Sequence, residues 1–140
     1  MKKHRLLAIS FLVVMTVWIT FPVFWQEKAK AEKMGLTVAR LVIGTGVENR
    51  EPIGVAETFP ATTEKVYCFL EATNIPEDTE ITFVWFHGEK EMLKTGLSLK
   101  MGPKWRTYAD KNLRGLKGGW KVEVKDAKGN LIKDVKFKVE

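Results

Sequence analysis

Trp120-Lys121-Val122-Glu123-Val124-Lys125, then Asp126-Ala127-Lys128-Gly129-Asn130, then Asp134-Val135-Lys136-Phe137-Lys138-Val139, is the stretch that decides the fold. Apolar and charged residues alternate strictly on both sides of a turn built from Asp, Gly and Asn. Side chains in a strand point alternately to opposite faces, so this is a β-hairpin with one dry and one wet face. Trp120, Val122, Val124, Val135, Phe137 and Val139 form the dry face.

Working outward, the same chemistry recurs back to Leu36. Short runs rich in Val, Ile, Thr and aromatics are separated by Gly, Pro, Asn and Asp, without the three-and-four spacing of an amphipathic helix. Candidate strands are Leu36 to Ile43, a short irregular one from Gly54 to Phe59, Val66 to Ala72, Ile81 to His87, Met92 to Lys100 and Lys104 to Asp110, the last two around a turn at Gly102-Pro103. In Val66 to Ala72, Val66, Cys68, Leu70 and Ala72 share one face and Tyr67, Phe69 and Glu71 the other. In Ile81 to His87, Ile81, Phe83 and Trp85 alternate with Thr82, Val84 and Phe86. Strands apolar on both faces belong in the middle of a sheet, with one face in the core and the other under a loop or a partner. The expected fold is an all-β, immunoglobulin-like sandwich of seven or eight strands over residues 32–140. Cys68 and Trp85 stand where such a fold keeps a core cysteine and a core tryptophan.

Residues 1–31 form a separate unit. Lys2, Lys3, His4 and Arg5 precede an uncharged stretch from Leu6 to Trp25. Its length matches the roughly 20 residues of a membrane-spanning helix and exceeds the roughly 7–15 of a signal-peptide apolar region. Pro22 and the small residues of Ala29-Lys30-Ala31 favour cleavage instead. Anchor and cleaved signal peptide both stand at this point, and each sends the domain out of the cytoplasm, inner-membrane anchored or periplasmic. With Cys68 the only cysteine in the chain, no internal disulfide can form and packing must supply the stability.

The formal charge of +6 is unevenly spread: residues 32–89 hold four Lys/Arg against ten Asp/Glu, and residues 90–140 hold fourteen against six. If those halves took different sides of the fold, the domain would be dipolar.

Catalytic chemistry finds little material. His87, beside Gly88, reads as a turn histidine; Ser98 lacks the turn that presents a nucleophile; Cys68 reads as an inert buried thiol. One His and one Cys cannot build a zinc site, and the oxygens of Asn74, Glu77, Asp78 and Glu80 fit no EF-hand spacing. Gly44 and Gly46 precede no helix that could hold a phosphate. No cofactor is expected. Two constellations remain as binding candidates. One is the loop Glu48-Asn49-Arg50-Glu51-Pro52, where Arg50 either contacts a partner or ties the loop to the sandwich. The other is the basic stretch Lys94, Lys100, Lys104, Arg106, Lys111, Arg114 and Lys117, opposed only by Asp110 and interleaved with Trp105 and Tyr108. Alternation puts Arg106 and Tyr108 on one face and Trp105 and Thr107 on the other.

These residues carry a family resemblance. Val38-Ala39-Arg40, the Gly46 to Pro52 loop, Tyr67 with Phe69, Trp85, Gly102-Pro103 with Trp105-Arg106-Thr107-Tyr108, and the closing Gly119-Trp120 to Phe137 hairpin resemble a bacterial exported domain-of-unknown-function family, DUF2914. The resemblance implies a small β-sandwich and no assigned activity. The family pattern places a His two residues before the strand tryptophan, where this chain has Phe83. The expected function is a non-enzymatic extracytoplasmic interaction module for a protein or an anionic envelope component, lipid head group or glycan, rather than nucleic acid. The alternatives are a carbohydrate-active domain that binds or cleaves a cell-wall glycan, and a self-associating structural domain.

Overall fold

The computed structural model describes residues 35–140, and the signal or anchor segment lies outside the described residues. Ten strands follow in chain order: β1 (Thr37–Gly44), β2 (Gly46–Glu48), β3 (Glu51–Ile53), β4 (Thr58–Phe59), β5 (Lys65–Ile75), β6 (Thr79–His87), β7 (Lys90–Leu99), β8 (Gly102–Asn112), β9 (Gly118–Lys125) and β10 (Leu131–Val139). There is no helix among the described residues, so none there is long and apolar enough to cross a membrane.

A three-stranded sheet of order β1-β5-β8 faces a five-stranded sheet of order β4-β10-β9-β6-β7, and β2-β3 is a separate small hairpin. The core between the sheets joins Val66, Cys68, Leu70 and Ala72 of β5 to Ile81, Phe83 and Trp85 of β6, and to Trp120, Val122 and Val124 of β9. Phe137 is the aromatic hub. It stacks on Trp120 at 5.9 Å between centroids and meets Phe59 and Trp85 edge-on at 5.9 and 6.5 Å. The expected dry face of the closing hairpin is buried, except that Val135 is only half-buried. Burial pushes the Cys68 thiol far above the ordinary thiol range, which keeps it protonated and inert.

Three expectations are corrected. The segment Gly46 to Pro52 is a hairpin, because Asn49 and Arg50 take φ of 50° and 61° and form the two-residue turn whose twist matches antiparallel strands. The β7–β8 turn falls at Lys100-Met101, and Gly102 and Pro103 already belong to β8. An edge strand tolerates proline there because one side of it has no ladder partner to lose. Of the short irregular strand expected from Gly54 to Phe59, only the two-residue β4 (Thr58–Phe59) is formed, and β3 ends before it at Ile53. Splitting of these short elements also raises the strand count above seven or eight.

The charge asymmetry along the chain does not become a spatial one. Each large sheet combines strands from both halves, with β5 hydrogen-bonded between β1 and β8, and β6 between β7 and β9.

Candidate functional site: a basic and aromatic groove

The outward face of the three-stranded sheet is unusual for an exposed β-surface. Glu71, the charged residue inside the otherwise apolar run from Val66 to Ala72, lies on that face and is buried. A carboxylate can be buried only if its charge is matched, and register supplies the match. β5 pairs Glu71 with Arg40 of β1 on one side and with Arg106 of β8 on the other. A β-bulge lies just before the Arg40 pairing, between Val38 and Arg40. The extra residue lets Val38, Leu41 and Ile43 all serve the core side while Arg40 faces outward.

Above this row sits the β2-β3 hairpin, which brings in Glu51. Arg40 donates to both Glu51 carboxylate oxygens, at 2.9 and 3.1 Å, and through Nε to Glu71 at 3.2 Å. Arg106 Nε donates to Glu71 at 3.0 Å, and Arg106 Nη1 lies 3.2 Å from Glu51. The four side chains close a ring of alternating charge, with the Lys104 ammonium 3.7 Å from Glu71 at its border. Hydrogen bonding by Arg106, then Arg40, holds the Glu71 carboxyl below its usual range against the opposing pull of burial, and Arg40 does the same for Glu51. Both acids stay ionised. The Arg40 guanidinium also lies 5.0 Å above the ring of Phe69, which the roof leaves buried on the outward face.

Beside this ring opens a groove of about 660 Å³, lined by Arg50, Phe69, Lys104, Trp105, Arg106 and Tyr108. Its volume falls within the roughly 300–1,000 Å³ of small-ligand sites. Tyr108 is 50% exposed and Trp105 37%, and Tyr67 lies against Tyr108 at 6.0 Å, so both tyrosines of the chain belong to this face. Arg50 differs from the other guanidinium groups here. It has no hydrogen-bond or ion-pair partner among the described residues, and it occupies the left-handed region at φ 61°. An L-residue there costs roughly 1–2 kcal/mol that glycine would avoid.

The two constellations read from the sequence thus converge in part. Arg50, Lys104, Arg106 and Tyr108 line one groove, and Glu51 belongs to the ion ring that borders it. Glu48 and Asn49 shape the hairpin but are not among the lining residues. The tie between hairpin and sandwich is made by Glu51, not by Arg50. Lys100 pairs with Asp78 at 3.7 Å on the β7–β8 turn. Lys111 is on the opposite strand parity from Tyr108, where its ammonium donates to the Asn112 carbonyl at 2.8 Å, and burial, helped by Arg114, lowers its pKa. Seven residues along a strand separate Lys104 from Lys111 by roughly 23 Å, so the basic stretch is not one patch. Arg40, Glu71 and Phe69 were not candidates. The lone acid in an apolar strand was the signal for Glu71, while the alternation that puts Arg40 outward is masked by the bulge that brings Val38 to the core side.

The residues set aside as catalytic keep structural roles. His87 Nε2 lies 2.8 Å from the Lys117 carbonyl, and its ring packs on Trp120 at 4.8 Å. Asp78 Oδ1 accepts the Met101 amide. Among the described residues, no three His, Cys, Asp or Glu side chains are grouped closely enough to hold a metal ion.

No curated protein matches the chain. Among solved structures, beta-glucosidase from Listeria innocua in complex with laminaribiose is similar over 75% of this chain and 16% of that one, with 10% identity and a TM-score of 0.47. Beta-glucosidase from Kluyveromyces marxianus is similar over 75% and 14%, with 12% identity and a TM-score of 0.45. Beta-glucosidase from Bifidobacterium adolescentis is similar over 74% and 17%, with 10% identity and a TM-score of 0.47. The chain therefore spans only a small part of each enzyme. The family model of DUF2914, a protein family of unknown function, matches residues 78–139, from just before β6 through β10, and this segment supports assignment to that family.

Proposed function

We propose that the protein is a non-enzymatic interaction module of the extracytoplasmic space, built on an immunoglobulin-like scaffold, that binds a protein or an anionic component of the cell envelope through the groove beside the ion ring. Cys68 and Trp85, buried on facing sheets, support the scaffold reading. The observation that carries the function is Arg50. Its guanidinium has no hydrogen-bond or ion-pair partner among the described residues, and it overlooks a groove lined by Lys104, Arg106 and a half-exposed tyrosine.

Glycan cleavage is disfavoured at this site by its own electrostatics. Hydrolysis needs one carboxyl protonated as general acid, and arginine hydrogen bonds hold Glu51 and Glu71 in the ionised form. Neither is poised to give a proton.

The test is binding of dextran sulfate, poly-L-glutamate and phosphatidylglycerol vesicles to the wild type and to Arg50→Gly. Glycine is at ease at φ 61°, and the relief roughly offsets its entropic cost of about 0.5–1 kcal/mol, so the fold should hold. At least one anionic probe should bind at low salt, weaken as the Debye length shortens to about 8 Å, and bind Arg50→Gly at least fivefold less well. Wild type and variant binding alike, or no probe binding, would refute the groove as the site.

A further inference from the structure

Most of the groove's lining belongs to a strand that has a neighbour on one side only. In the order β1-β5-β8, β8 pairs with β5 on one side from Gly102 to Asn112 and with nothing on the other among the described residues. Four of the six groove-lining residues, Lys104, Trp105, Arg106 and Tyr108, belong to this edge strand. A row of free backbone N–H and C=O groups is a template for another strand.

From this we infer, resting on the anion-binding reading above, that the partner is an extended acidic peptide segment of another protein, added as a fourth strand alongside β8. Charge decides between the occupants. A second copy meeting β8 edge to edge, antiparallel about Thr107, would set Lys104 against Asp110 but Arg106 only against Tyr108, and would bring no acid to Arg106 or Arg50. A strand carrying Glu or Asp on its outward face supplies an acid to each of these cations. Residues on that face would meet Lys104 and Arg106 directly, while Arg50 reaches the groove from the hairpin tip. Tyrosine, tryptophan and arginine, the types enriched where binding energy concentrates, all line the groove. Main-chain hydrogen bonds would give affinity and the basic groove would give selectivity, as in other strand-addition complexes.

The test uses a fluorescent ten-residue peptide of alternating glutamate and valine. Its controls are the lysine–valine counterpart and the acidic peptide N-methylated at alternate residues, which keeps the charge but removes backbone donors. The acidic peptide should bind saturably and slow hydrogen exchange at amides between Lys104 and Lys111. The lysine peptide should not bind, and N-methylation should cost at least tenfold in affinity in one of its two registers. Equal binding of methylated and unmethylated peptides would overturn strand addition while leaving the anionic groove intact. Protection on β7 instead of β8, or a β8–β8 dimer in sedimentation that excludes the peptide, would overturn it too. Failure of every anionic probe would remove both readings together.

Discussion

Replacing Glu71 by glutamine probes the ion ring with minimal change in shape. The amide fills the same volume and can still accept from one guanidinium, but it turns an NH₂ toward another donor and leaves Arg40, Arg106 and Lys104 short of one negative charge. Breaking a fully buried pair costs roughly 3–5 kcal/mol, whereas exposed pairs are worth about 0–1. Glu71 is 10% exposed at its side chain but Arg40 and Arg106 are 36% and 31% exposed, so water screens the cationic partners. The expected loss is therefore intermediate, about 1–3 kcal/mol at pH 7, or about 4–8 °C in Tm per kcal/mol for a domain near this size. The pH dependence follows from the depressed carboxyl pKa of Glu71. Stability from such a group is fully present above its unfolded-state pKa, near the ordinary carboxylate value, and is lost as pH falls through the folded-state pKa. Wild type and Glu71→Gln should therefore differ in urea melts at pH 7 and converge toward pH 3. An equal gap at both values, or none at pH 7, would show that the ring does not stabilise the fold electrostatically.

Other outcomes follow from the core and the address. Trp85→Ala should destabilise by about 3–5 kcal/mol, since it empties a fully buried aromatic site; a wild-type urea midpoint would contradict the core assignment. The Cys68 thiol should resist Ellman's reagent at pH 8 in the native state and react at the rate of global opening, whereas rapid labelling would mean the β5 core face is open. In a bacterial host, protease added outside the inner membrane should reach the domain, and protection in spheroplasts would refute the export reading.

Much of the architecture was legible because strand alternation is local. Val66, Cys68, Leu70 and Ala72 fall on the buried side, and the Trp120 to Val139 hairpin forms as its period of two requires. The pairing of Arg106 with Tyr108 on one face was legible for the same reason, but Trp105, expected on the opposite face, lines the same groove from the edge strand. What was not legible depends on pairing between distant segments. The β1 bulge brings Val38 to the core side and so breaks the alternation that marks Arg40 as outward, and only β5 lying between β1 and β8 brings Arg40, Glu71 and Arg106 into one row. The hairpin at Asn49-Arg50 was hidden because its turn carries Arg where glycine ordinarily signals left-handed backbone. Lys100 and Lys111 fall outside the groove, which closeness in sequence does not reveal because it fixes neither strand parity nor distance along a strand.

The most direct test of the central claim is to map where an anion lands. With ¹⁵N-labelled domain titrated with poly-L-glutamate at low salt, amide shifts should cluster at Arg50, Phe69 and Lys104 through Tyr108, and fade as salt is raised. Shifts confined to the lysine-rich outer side of the five-stranded sheet, around Lys121, Lys125, Lys136 and Lys138, or no shifts at all, would contradict it.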